Sequence, residues 1–167
     1  MKKIVDNEKK IKLKLFPPHW KNYKYFAVID SNIIIIEGFR VFELKKFKVG
    51  VIIPEVVQNE LDKLKTKKNT SERARNFSNL LEKELLEKEQ GVFIPSFEIS
   101  HLIKSNFCKQ NHNNDEEIIA NALYYRDKLK FASLFVISDD RNLRIMAHSN
   151  DVEIQPNITQ FLKKIKE

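Results

Sequence analysis

Short apolar runs recur along this chain, and most are bounded by a polar or chain-breaking residue. Phe26-Ala27-Val28-Ile29 ends at Asp30, and Val51-Ile52-Ile53 is stopped by Pro54. Val92-Phe93-Ile94 follows Gly91, Leu134-Phe135-Val136-Ile137 leads into Ser138-Asp139-Asp140, and Val152-Glu153-Ile154 is a weaker fifth run. Amphipathic stretches lie between them, near 55–66, 72–89, 115–129 and 140–148. Apolar runs of strand length that alternate with helical stretches predict an α/β fold with a parallel sheet covered on both faces. In such sheets, sites form outside the carboxyl ends of the strands.

Ahead of this pattern stands a Lys-rich arm over residues 1–18, in which Ile11-Lys12-Leu13-Lys14-Leu15 alternates with strand period. Pro17-Pro18 breaks the chain and marks the expected start of one domain over 19–167. Trp20, Tyr23, Tyr25 and Phe26 crowd that start. Aromatics can stack on bases, but this spacing suits core packing better.

Most acidic residues are solvated surface; the informative ones sit where an apolar residue belongs. On a helical wheel of ~100° per residue, Val56, Val57, Leu61 and Leu64 form an apolar arc, and Glu60 falls inside it while Glu55 and Asp62 do not. A carboxylate on a buried stripe is costly unless it is paired or metal-bound. In the later helix Ile118, Ile119, Ala122, Leu123, Tyr125 and Leu129 form the apolar face. Asp115 lies in its middle, Glu116 at its edge, and Glu117 points away. Asp115 has an alternative explanation as a helix cap. Asp30 and Asp139-Asp140 end strands, so Asp30, Asp115 and Asp139 or Asp140 are expected to converge, with Glu60 reaching in. About four like charges at close range would raise one another's pKa values unless a cation neutralises them. Oxygen-only ligands favour Mg²⁺ or Mn²⁺ over zinc, and the pattern does not fix whether one or two ions bind. Such ions stabilise the attacking and leaving oxygens of a phosphodiester displacement.

Bulk properties narrow the picture further. At 167 residues the chain suits one domain with a proper core. No apolar run approaches the ~20 residues of a membrane helix, and the first residues show no signal-peptide pattern. These features predict a protein that stays inside the cell, in the cytoplasm or nucleus. Cys108 is the only cysteine, which excludes an internal disulfide and a cysteine-based zinc site, and it reads as a small core hydrophobe. His19, His101, His112 and His148 match no metal-ligand spacing. The net charge of +7 fits a polyanionic partner or mere solubility. Lys63, Lys65, Lys67, Lys68, Arg73 and Arg75 crowd the break after the Glu60 helix. There they would either be a solvated loop or hold phosphates.

Four segments, taken in order, resemble the PIN-domain nuclease family: Val28-Ile29-Asp30-Ser31-Asn32, Pro54 to Lys65, Asn114-Asp115-Glu116-Glu117-Ile118-Ile119, and Ser138-Asp139-Asp140-Arg141-Asn142-Leu143-Arg144. The second and fourth are most similar to the branch of eukaryotic messenger-RNA surveillance endonucleases. The resemblance implies a three-layer α/β/α domain with a central parallel sheet, acting as a metal-dependent endoribonuclease on single-stranded RNA. Carried over by position, Asp30, Glu60, Asp115 and Asp140 become catalytic metal ligands, with Asp139 and Glu116 as further candidates. Asn32 and Ser138 become their supporting neighbours. Ser31 stands where the family has threonine. A haloacid-dehalogenase-type phosphatase would need a second Asp where Asn32 stands. A non-catalytic RNA-binding or scaffold domain is the alternative. Neither the identity of the RNA nor any protein partner or self-association is readable from the sequence.

Overall fold

The computed structural model describes residues 14–167 of the chain. Most of the arm, and three of the five residues in its alternating stretch, lie outside them. Of the rest, Leu15 and Phe16 pack against the core, and the Phe16 ring meets Phe131 at 6.2 Å.

Among the described residues five strands form one sheet: β1 (Tyr25–Ile29), β2 (Val49–Ile52), β3 (Val92–Phe93), β4 (Ser133–Ile137) and β5 (Glu153–Gln155). They lie in the order β3-β2-β1-β4-β5, and every pairing is parallel. All five predicted runs are therefore strands. Apart from their first residues, β1 and β4 are buried throughout, as expected of strands covered on both faces. Eight helices of the described chain cover the sheet: α1 (Ser31–Glu37), α2 (Arg40–Glu43), α3 (Glu55–Leu64), α4 (Ser71–Leu85), α5 (Phe97–Phe107), α6 (Asn114–Lys128), α7 (Arg141–Ser149) and α8 (Ile158–Lys166). The result is the expected three-layer α/β/α arrangement. No helix among the described residues is long and apolar enough to cross a membrane.

The hydrophobic pattern foresaw α3, α4, α6 and α7 and missed the other four. In α1 the run Ile33-Ile34-Ile35-Ile36 gives no amphipathic signal. Ile33 and Ile34 are buried, whereas Ile36 is 62% exposed. The α5 helix is capped by Ser96, whose hydroxyl accepts from Ile99 N at 3.3 Å. The α8 helix starts at Asn157, whose side chain accepts from Gln160 N at 2.8 Å. The spacing Asn157-x-x-Gln160 is that of a capping box and was a legible start signal.

Trp20 is fully buried and stacks near Phe26 and Tyr23, so the aromatic cluster is core. Gly50 is what lets it close: a Cβ there would lie 2.7 Å from the Trp20 ring and 2.8 Å from Phe26.

Candidate functional site

The sheet order reverses direction between β1 and β4. One chain connection leaves β1 toward β2 and β3, whereas β5 extends the sheet on the other side of β4. Ile29 and Ile137 are in register there, so the residues that follow them emerge side by side at the topological switch point.

Asp30 follows β1 and precedes α1, and only 5% of it is exposed. Its backbone N–H continues the ladder to Ile137 O at 3.1 Å, which fixes its position. Its carboxylate does not cap α1. Instead Oδ2 accepts from the Ser138 hydroxyl at 2.7 Å, and Oδ1 accepts a long bond from the Ser31 hydroxyl at 3.4 Å. The Ser138 oxygen in turn accepts from Asp140 N at 3.0 Å. The Ser31 hydroxyl also lies 2.6 Å from Glu60 Oε2, and the Asn114 amide donates to Glu60 Oε1 at 2.6 Å. A hydrogen-bonded chain thus runs from the start of α7 through Ser138, Asp30, Ser31 and Glu60 to the start of α6.

Electrostatics bring in Asp115. Burial raises the Asp30 pKa above the usual carboxylate value; the Ser138 hydroxyl opposes this, and the charges of Glu60 and Asp115 add to it. The Asp115 pKa is raised too, first by burial and then by the charges of Asp140 and Glu60. Among the described residues none of the four acids takes an ion pair, although nine Lys or Arg ion pairs form elsewhere. This anionic cluster takes no ion-pairing counter-charge among the described residues. Among the described residues, however, no three His, Cys, Asp or Glu side chains are gathered closely enough to form a ready metal shell. The carboxylates are linked through Ser31, Ser138 and Asn114 rather than drawn onto one point. An oxygen-only donor set, with one member buried and none in an ion pair among the described residues, still suits a hard divalent ion.

The remaining candidates are placed differently. The helix cap beside Asp115 is Asn113, whose Oδ1 accepts from Glu116 N at 2.9 Å, so Asp115 is not the cap. Asp140 does cap its helix, with Oδ1 accepting from Asn142 N at 2.7 Å and Leu143 N at 3.1 Å. Asp139 is exposed. Glu116 lines a groove with Phe107 and Met146 rather than joining the hydrogen-bonded chain. Asn32 is exposed and makes no side-chain hydrogen bond among the described residues; the neighbouring Ser31 holds Asp30 instead.

Glu117 corrects the wheel. It does not point away but is buried, 3.4 Å from Lys104 Nζ and 3.2 Å from His112 Nε2. The helix that covers it is α5, which the pattern did not reveal. His112, given no role from spacing, also bonds Lys109 O through Nδ1 at 3.0 Å and so pins the turn before α6. Of the basic group, Lys63, Lys67, Lys68, Arg73 and Arg75 are exposed, and Lys65 pairs with Asp62 at 2.7 Å. They lie at the end of α3, in the turn after it and on the first turns of α4. Sequence reasoning gave no working role to Ser31 or Asn114. Their positions beside motif acids were the available signal.

A family model described as PIN domain matches residues 27–156. The chain is also similar to the solved PIN domain of human SMG5, at 18% identity and a TM-score of 0.53, over 83% of this chain and 97% of that one. At that identity the likeness speaks to fold alone. No curated protein sequence shows a significant match.

Proposed function

The chain belongs to the PIN-domain family, and from that premise we propose that it is a divalent-metal-dependent endoribonuclease that cleaves single-stranded RNA inside the cell. The observation that carries this reading is the acidic cluster at the switch point, which takes no ion pair among the described residues and whose buried Asp30 carboxylate accepts there from the Ser138 and Ser31 hydroxyls. Asp30, Glu60, Asp115 and Asp140 would hold Mg²⁺ or Mn²⁺. Once bound, the ion supplies positive charge for the attacking and leaving oxygens of a phosphodiester.

The protein's own groups do the positioning. Ser138 and Ser31 orient the Asp30 carboxylate, and Ser31 with Asn114 holds the Glu60 carboxylate. Asp140 spends Oδ1 on the α7 cap, which fixes its rotamer and leaves Oδ2 free. The first turns of α6 and α7 open at this edge, and their N-terminal dipoles favour a phosphate there. The basic turn after α3 would bind the strand beyond, through contacts that carry no base information.

The test is cleavage of a fluorescent single-stranded RNA with Mn²⁺, with and without EDTA. Cleavage is expected with the metal, absent with EDTA, and reduced at least about a hundredfold in Asp30→Asn. EDTA-resistant cleavage sinks the metal mechanism. A second reading, an RNA-binding or scaffold domain without catalysis, is favoured by the lack of a ready metal shell among the described residues. RNA binding without Mn²⁺-dependent cleavage would select it.

A further inference from the structure

A groove of about 310 Å³ runs between α6 and α7, with the end of α5 at its side. Its volume is at the lower end of small-molecule sites, roughly 300–1,000 Å³. Glu116 follows Asp115 directly, and Glu116, Ile119 and Leu123 all line the groove along α6. From α7, the helix that Asp140 caps, comes Met146, with Asn150 just past its end. The lining mixes apolar side chains with the polar Lys109, Glu116 and Asn150, and Glu116 is one residue from the proposed ligand Asp115.

We propose that this groove binds a nucleobase of the RNA strand and prefers bases that carry an exocyclic amino group. The inference rests on the RNA-cleaving reading above. Phe107 stands at the groove, 45% exposed, with its ring held edge-on by Tyr124 at 6.2 Å and 84°. A rigid, half-exposed ring is a stacking platform that any base can use. Glu116 and Asn150 then supply acceptors for the base edge. The Glu116 carboxylate has no hydrogen-bond or ion-pair partner among the described residues. The Asn150 amide donates one N–H to Met146 O at 2.9 Å, which orients its oxygen and its second N–H. The Glu116 carboxylate can only accept, so it matches the amino groups of adenine, cytosine and guanine, whereas uracil offers it a single N3–H flanked by two opposing carbonyls. Lys109, free of ion pairs among the described residues, supplies a cation for the adjoining phosphate. The His112 bond to Lys109 O holds that turn in place.

Binding of short A, C and U homopolymers, read by fluorescence anisotropy in EDTA at low salt, tests the groove without cleavage. The protein is expected to bind A and C about tenfold more tightly than U. Glu116→Gln, whose amide both donates and accepts, should bring the ratio near one with an unchanged melting temperature. Phe107→Ala should weaken all three by about tenfold. Equal affinities for the homopolymers, or a Phe107→Ala variant that binds as the parent does, overturns the subsite while leaving Mn²⁺-dependent cleavage to stand or fall separately. If that variant instead turns a dimer into a monomer in light scattering with RNA affinity unchanged, the groove is a contact between copies and the subsite is overturned. Failure of every homopolymer to bind, together with no cleavage, removes both readings.

Discussion

An acid in the first turn of a helix can be there for the helix or for chemistry, and Asp115 separates the two. Asn113 already caps α6, so Asp115 is not needed for that. Its raised pKa comes from burial and from Asp140 and Glu60, which makes it a burden on the metal-free fold. The sign follows from linkage: a carboxyl whose folded pKa lies above its unfolded value binds protons more tightly when folded. Its favourable contribution is present at and below the ordinary value of 3.8 and fades as the pH rises through the raised folded value. Asp30 behaves alike. Asp115→Asn is therefore expected to melt higher than the parent at neutral pH without metal, and the gap should close in acid. Mn²⁺-dependent cleavage should fall at least about tenfold. A lower metal-free melting temperature, with cleavage retained, would return Asp115 to a structural role.

At the scale of one element, α7 shows how the side chain proposed as a metal ligand also starts a helix. Asp140 Oδ1 satisfies two backbone N–H groups of the first turn. Asparagine caps as well as aspartate, whereas alanine does not, at a cost of about 1 kcal/mol. Asp140→Asn should keep its stability and lose cleavage, and Asp140→Ala should lose both. Chemical denaturation of the two variants beside the parent checks this. Equal stability of the two would show that the cap bonds contribute nothing. The missed elements teach a related lesson. The four isoleucines of α1 are β-branched and carry no helical period. They are helical because the chain must leave β1 and cross over to a parallel neighbour.

For the whole molecule, the charge of +7 coexists with an anionic cluster at the switch point, so the two signs must be separated in space. The exposed Lys67 and Lys68, with Lys65, lie in the turn after α3, which also carries Glu60. Replacing Lys65, Lys67 and Lys68 by Ala should weaken RNA binding similarly across sequences. It should also flatten the slope of log affinity against log salt, by up to ~0.7 for each phosphate of a single strand that the variant no longer neutralises. Affinity measured across a salt series gives that slope, and an unchanged slope would make the turn solvated surface.

Strand positions, the parallel sheet and the strand-end acids were legible from the sequence. Buried parallel strands are continuous apolar runs, and Asp30 breaks one where no loop composition would demand it. Glu60 was legible for the same reason, as a charge on an apolar arc. The face of Glu117 was not, because a helical wheel sees only its own helix, and the cover supplied by α5, with Lys104 and His112, comes from residues further back in the chain. Nor could spacing show that Ser31 joins Asp30 to Glu60 across 29 residues at 2.6 Å. Periodicity reports which side chains want burial; which partners meet them there depends on how the elements dock, and only the tertiary structure decided that.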